Sequence, residues 1–162
     1  SLIGGIMHIA NDALMKGALF MAATAIALRY GIRQVDQLWQ LRGRAPWLAG
    51  VIVVAGLSLV GLPPLCGFFG KWYVLKGALA SEHWALAGAI IIGSLASAAY
   101  VARLIEVMFF ARVPETAAPP APAGTRLTLV VALALGAGVV LLGLLSGLFI
   151  ESVIKPALPA GL

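Results

Sequence analysis

Three ionisable side chains stand four residues apart near the start of the chain: His8, Asp12 and Lys16. On an α-helix that spacing sets them along one face, each step rising ~6 Å. Such a stripe can pass a proton. An imidazole titrates near neutrality, a carboxylate stabilises a neighbouring ammonium, and loss of solvent makes a lysine give up its proton more readily. Asp12 and Lys16 can also pair directly across one turn. A plainer reading stays open, in which Asp12 and Lys16 form a neutralised structural pair and His8 is a hydrogen-bonded packing residue. The chemical reading draws its support from cost. A charge at the centre of a membrane span is unfavourable by roughly 2.5–3.5 kcal/mol on insertion scales, and pairing offsets only part of that.

Lys71 is the next site residue, a few positions beyond Pro63 and Pro64. Proline removes a backbone donor and disfavours helix just before it, so Gly61-Leu-Pro63-Pro64-Leu-Cys-Gly67 marks a helix break. A break inside a membrane span is tolerated only where protein or a water-filled cavity surrounds it, which would leave Lys71 hydrated and protonatable. The competing reading has Lys71 snorkelling to the interface, and this reading is stronger for Lys76. Arg103 and Glu106 stand i, i+3, which suits a local ion pair with either a structural or a coupling role. His83, between Glu82 and Trp84, reads as an interfacial anchor.

The elements that must hold these residues follow from composition. The chain has 162 residues, 62% of them hydrophobic and 10% charged, against roughly 45–50% apolar and 25% charged in soluble domains. Lipid tails solvate Leu, Ile, Val and Phe directly, so the fold class expected is all-α integral membrane, with about four transmembrane helices, one of them discontinuous. The spans fall at about 2–29, 47–80 (broken, with halves near Leu48–Leu62 and Phe68–Ala80) and 83–110. Together they make a membrane domain over 1–111. A Pro/Ala-rich loop over 112–125, a last span over 126–153 and a tail over 154–162 complete the chain. Val35, Leu38, Trp39 and Leu41 space as a short amphipathic helix lying at the membrane interface. Gly136, Gly143 and Gly147 fall near one face of the last span, a small-residue pattern that lets helices approach closely. If the broken segment counts as one span, the two arginine-bearing connections lie on the same, cytoplasmic side.

Several classes are excluded. The net charge of +5 is scattered between apolar blocks, so no nucleic-acid surface is expected. Cys66, the single cysteine, has no partner at metal-ligand spacing, and no phosphate-cradling glycine loop or nucleophile elbow is present. Neither a bound metal nor a redox cofactor is expected in this chain. There is no initiator methionine and no signal-peptide pattern before the first apolar run, which reads as a start inside a longer protein.

The two segments His8-Ile-Ala-Asn-Asp12-Ala-Leu-Met-Lys16-Gly-Ala-Leu-Phe20 and Gly61-Leu-Pro-Pro-Leu-Cys-Gly-Phe-Phe-Gly-Lys71-Trp-Tyr-Val-Leu, and the distance between them, resemble the antiporter-like proton-conducting membrane subunits. The resemblance is to the D-type subunits of Mrp cation/proton antiporters and to membrane-arm subunits of complex I, the NADH-quinone oxidoreductase. It runs from about Ile3 to Phe110. The resemblance implies two inverted repeats, each with a broken helix, and a row of lysine, histidine and acidic residues that passes protons. This sequence would supply most of the second repeat. Lys16 would match the central-row lysine, Lys71 the broken-helix lysine and His8 a relay histidine, while Asp12 stands where some relatives carry a second histidine. The paired glutamate and lysine of the first repeat have no counterpart here.

The function expected is that of a proton-translocating subunit in which Lys16 and Lys71 change protonation state, His8 relays and Asp12 tunes Lys16. Its partners would be lipid and the other membrane subunits of a hetero-oligomeric complex, in a bacterial inner membrane. Protons would be carried, with sodium or potassium left open as a second cation. No redox chemistry is expected in the chain itself, which would at most be a translocase subunit of a redox complex. Two rivals stand beside it: a structural scaffold with permanently paired charges, and a small-solute transporter.

Overall fold

The computed structural model describes residues 2–111 and 126–154. The Pro/Ala-rich segment, with Arg112, and the tail from Lys155 lie outside the described residues. The regular elements described are all helical. α1 runs Leu2–Tyr30, a 3-10 turn Val35–Gln40 leads into the single-turn α2 (Leu41–Arg44), α3 spans Pro46–Val60 and α4 Cys66–Ala80. α5 (Trp84–Phe110), α6 (Arg126–Leu144), α7 (Ser146–Phe149) and a closing π-type turn, Ile150–Ile154, follow. α1, α5 and α6 are long and apolar enough to cross a membrane, where some 20 apolar residues suffice. α3 is apolar but shorter.

α1 is held at the centre of the bundle by a face of small residues. Ala18, Ala22 and Ala25 are fully buried on it, with Met15 and Ile26 beside them. Without large side chains between them, neighbouring helices approach closely enough for dispersion contacts to hold them together in lipid. α3 contributes Leu48, Val51, Ile52 and Ala55 to this core, and α5 contributes Leu104, Val107 and Met108. The outward faces of α5 and α6 carry Ile91, Ile92, Leu95, Leu133 and Leu141 in exposed positions, as a lipid-facing surface requires.

The break between α3 and α4 is built by Gly61. It adopts φ 97°, in the left-handed region that costs glycine nothing. The amide of Gly61 donates to the Ser58 carbonyl and that of Leu62 to the Leu57 carbonyl, a Schellman closure. Two of the four carbonyls that every helix C-terminus leaves open are thereby satisfied. Those of Leu59 and Val60 are taken by the ammonium of Lys71 instead.

Three local features depart from the sequence expectations. The connection after α1 is not a regular amphipathic α-helix lying on the surface. It folds inward as the 3-10 turn and one α-turn, burying Leu38 and Leu41 in the core. Arg42 pins it there, its guanidinium donating to the carbonyls of Met108 and Ala111 at 3.2 Å each, a cation on the carbonyl end of α5. In the last segment the α-helix is interrupted at Leu145, between α6 and α7. Of the three glycines grouped on its face, Gly136 packs on the Val51 side chain and Gly143 against the backbone of Pro64 to Cys66. Gly147 meets nothing. The glycine contacts therefore cover two positions, Gly136 on the middle of α3 and Gly143 on the helix break.

Candidate functional site

The break lies against the central turns of α1, and buried polar groups fix it there. Asn11, fully buried, donates through Nδ2 to the Cys66 carbonyl at 2.7 Å. The Gly67 amide at the start of α4 donates to Ser58 Oγ at 3.0 Å, and Ser58 Oγ lies 3.4 Å from Cys66 Sγ. Asn11 thus ties α1 to the first turn of α4, while Ser58 ties the end of α3 to it. Replacing Asn11 by Ala removes the buried hydrogen bond that joins α1 to the first turn of α4, which should destabilise the protein by roughly 1–2 kcal/mol. The melting temperature of the detergent-solubilised assembly measures this, and it should fall.

Lys71 sits on α4 with its ammonium turned back onto the end of α3. Nζ donates to the Leu59 carbonyl at 2.6 Å, the Val60 carbonyl at 3.2 Å and Ser94 Oγ on α5 at 2.8 Å. These are the two carbonyls the Schellman closure leaves open, so the lysine completes the C-terminus of α3 and sits at the negative end of its dipole. Its three donors meet three uncharged acceptors. Among the described residues no carboxylate lies within ion-pair distance of it.

His8 shares a cavity of about 180 Å³ with Lys71, Ser94 and Gly93, room for several water molecules. Its ring stands close to Gly70: a Cβ added there would lie 3.2 Å from His8 Nδ1. That nitrogen is buried without a hydrogen-bond partner among the described residues, as is Asn11 Oδ1. The side of His8 turned to α4 is therefore polar and unsatisfied by side chains.

Asp12 and Lys16 pair at 2.7 Å across one turn, both partly exposed, Lys16 at 55% and Asp12 at 32%. Lys16 lines a different cavity from His8, an apolar one of about 580 Å³ with Leu59, Tyr100 and Leu104 on its walls. His8 and Lys16, the two ends of the stripe, thus face different cavities. At 3.6 residues per turn each four-residue step swings the face by about 40°, enough to carry Lys16 round to the other side of the α3 end. Leu59 lies between them, lining the Lys16 cavity while its carbonyl accepts from Lys71.

Arg103 and Glu106 pair at 2.9 Å on α5, both well exposed, with Asp36 3.9 Å from the guanidinium. They lie with Arg42 at the end of α5 that holds the connection, away from Lys71. Lys76 is exposed, and exposed His83 sets Nδ1 2.6 Å from the Ser81 carbonyl just before α5. Sequence reading missed Asn11, Ser58 and Ser94. Each is a single small polar residue in an apolar run, and only the contact across helices distinguishes it from packing.

In sequence and fold the chain is similar to subunits of membrane complexes. The chain is 36% identical to NADH-quinone oxidoreductase subunit N of Desulforudis audaxviator, an alignment covering 98% of this chain and 34% of that protein. It is 32% identical to the D subunit of the Na(+)/H(+) antiporter of Bacillus subtilis, over 74% of this chain and 24% of the relative. It superposes on a chain of the Mrp complex from Dietzia with TM-score 0.80 at 25% identity, covering 93% of this chain and 36% of the other. For a chain of respiratory complex I from Thermus thermophilus the TM-score is 0.72 at 27% identity, with 90% and 33% covered. The chain therefore spans a quarter to a third of the length of these relatives. The family model described as NADH:quinone oxidoreductase/Mrp antiporter, TM, matches residues 1–97. By that match and those relatives, this chain is an integral membrane protein belonging to the NADH:quinone oxidoreductase/Mrp antiporter transmembrane family.

Proposed function

We propose that the chain is part of a proton-translocating subunit, in which Lys71 takes up and releases the proton and His8 relays it across the cavity they share. Lys16 is the second lysine of the path, and Asp12 holds its charge. The observation that carries this reading is the seat of Lys71: an ammonium on two helix-end carbonyls and a hydroxyl. No ion pair is broken when it gives up its proton, whereas Lys16 must leave Asp12. A cavity large enough for water adjoins it, and a histidine shares its lining.

In this reading the chain works beside other membrane subunits, as its relatives' names imply for them, in a bacterial inner membrane. The driving force comes from the partners: redox chemistry in a complex I setting, or an opposing sodium or potassium gradient in an antiporter. The test is proton flux in vesicles containing the full-length protein in its assembled complex. Lys71→Ala at matched assembly should lose most of the flux. Flux equal to that of the unmodified complex would favour the scaffold reading, in which the charged residues only hold the structure.

A further inference from the structure

A lysine that changes charge needs partners for both of its forms. The ammonium of Lys71 offers three donors, which the Leu59 carbonyl, the Val60 carbonyl and Ser94 Oγ accept. The neutral amine keeps two N–H donors and gains a lone pair, and a buried lone pair facing only carbonyl oxygens is unsatisfied and repelled. Carbonyls cannot donate. A hydroxyl can do either by turning about its C–O bond.

Ser94 is partly buried on α5 and lines the same cavity as His8 and Lys71. Ser97, one turn further along, spends its hydroxyl on its own helix, donating to the Gly93 carbonyl at 2.8 Å. That back-bond is the common resting place of a helical serine. The Ser94 oxygen instead lies 2.8 Å from Lys71 Nζ.

We propose that Ser94 is the positioning residue that keeps Lys71 seated in both charge states. The inference rests on Lys71 being a proton carrier. When one Nζ–H bond breaks, the proton passes to a cavity water or to the neutral imidazole of His8, and Lys71 becomes an amine. The Ser94 hydroxyl then turns so that its O–H donates to the new lone pair, while the two remaining N–H groups stay on Leu59 and Val60. Reprotonation reverses the turn. Ser94 carries no net charge at any point, and the lysine does not leave the end of α3.

The test compares S94A, S94T and K71A in the full-length protein, assembled in its complex and reconstituted at matched levels. S94A should lower proton flux roughly tenfold, the scale of one hydrogen bond to a charged group, with assembly unchanged. S94T, which keeps the hydroxyl, should restore most of it. Unchanged flux in S94A alongside a silent K71A overturns the role of Ser94 and leaves Lys71 in place. S94T as slow as S94A also overturns it, because the hydroxyl would then not be the group that matters. Normal flux in K71A removes the proton carrier, and this inference falls with it.

Discussion

Gly67→Ala should sharply lower the amount of assembled protein. A Cβ at Gly67 would overlap the carbonyl oxygen of Ser58, with the Ser58 carbonyl carbon 2.8 Å away and Met15 Sδ 2.9 Å away. A flexible side chain could swing aside, but here the obstacle is the backbone of the neighbouring half-helix. Relief requires the start of α4 to move off the end of α3. That movement breaks the Gly67 amide bond to Ser58 Oγ and draws the Cys66 carbonyl away from Asn11. Overpacking alone costs about 1–3 kcal/mol, and two buried hydrogen bonds lost with it add roughly 1 kcal/mol each. The sum, about 3–5 kcal/mol, is a large fraction of the ~5–15 kcal/mol that keeps a typical domain folded. Gly88→Ala is the control, since a Cβ there meets nothing within 4 Å. It should assemble normally. Quantifying the complex in isolated membranes separates the two variants.

The reason one methyl group should weigh so much is also why the break exists. Two 15-residue half-helices meet at a point where the backbone has no continuous hydrogen-bond ladder. Each freed group must find a partner inside the protein. The Gly61 turn closes two carbonyls of α3, Ser58 takes an amide of α4, and Lys71 takes the last two carbonyls of α3, while Asn11 adds a bond from α1 to the first turn of α4. The polar groups at the break are thus one connected set. Close packing of Gly67, Gly70 and Gly143 around it leaves little freedom to rearrange.

Much of this frame is legible in the sequence. A run of apolar residues long enough to cross a bilayer needs only counting, and Gly-Leu-Pro-Pro inside such a run can hardly remain helical. The ion pairs of Asp12 with Lys16 and of Arg103 with Glu106 follow from helical spacing, because their geometry is local. What the sequence hides is non-local. Lys71 meets Ser94 and the Leu59 carbonyl only because its side chain reaches back from α4 to the end of α3, where α5 packs against both helices. No spacing rule joins residue 71 to residue 94. The split of His8 from Lys16 is hidden for a related reason: a stripe on a helical wheel says which residues share a face, but not where the neighbouring helix ends. The interruption at Leu145 has no proline to announce it, and the inward fold of the connection after α1 depends on Arg42 reaching the far end of α5.

Lys71→Arg separates charge from chemistry. A guanidinium keeps the positive charge beside the open carbonyls of Leu59 and Val60 and offers more donors than the ammonium it replaces, so the end of α3 remains satisfied. It cannot be deprotonated in a protein, so whatever depends on the lysine releasing its proton must stop. Lys71→Ala confounds these, because it removes the proton carrier and also leaves two carbonyls unpaired. The arginine variant should therefore assemble like the unmodified protein and conduct at most a few hundredths as fast, a loss on the 10²-fold scale of a positioned proton-transfer group.

The most direct measurement is proton flux into vesicles containing the full-length protein in its assembled complex, with Lys71→Arg compared to unmodified protein at equal assembly. A lysine that works by releasing its proton gives intact assembly and lost flux in the arginine variant. Flux at the unmodified rate would contradict that role, since a permanently charged side chain would then serve as well as one that can let its proton go.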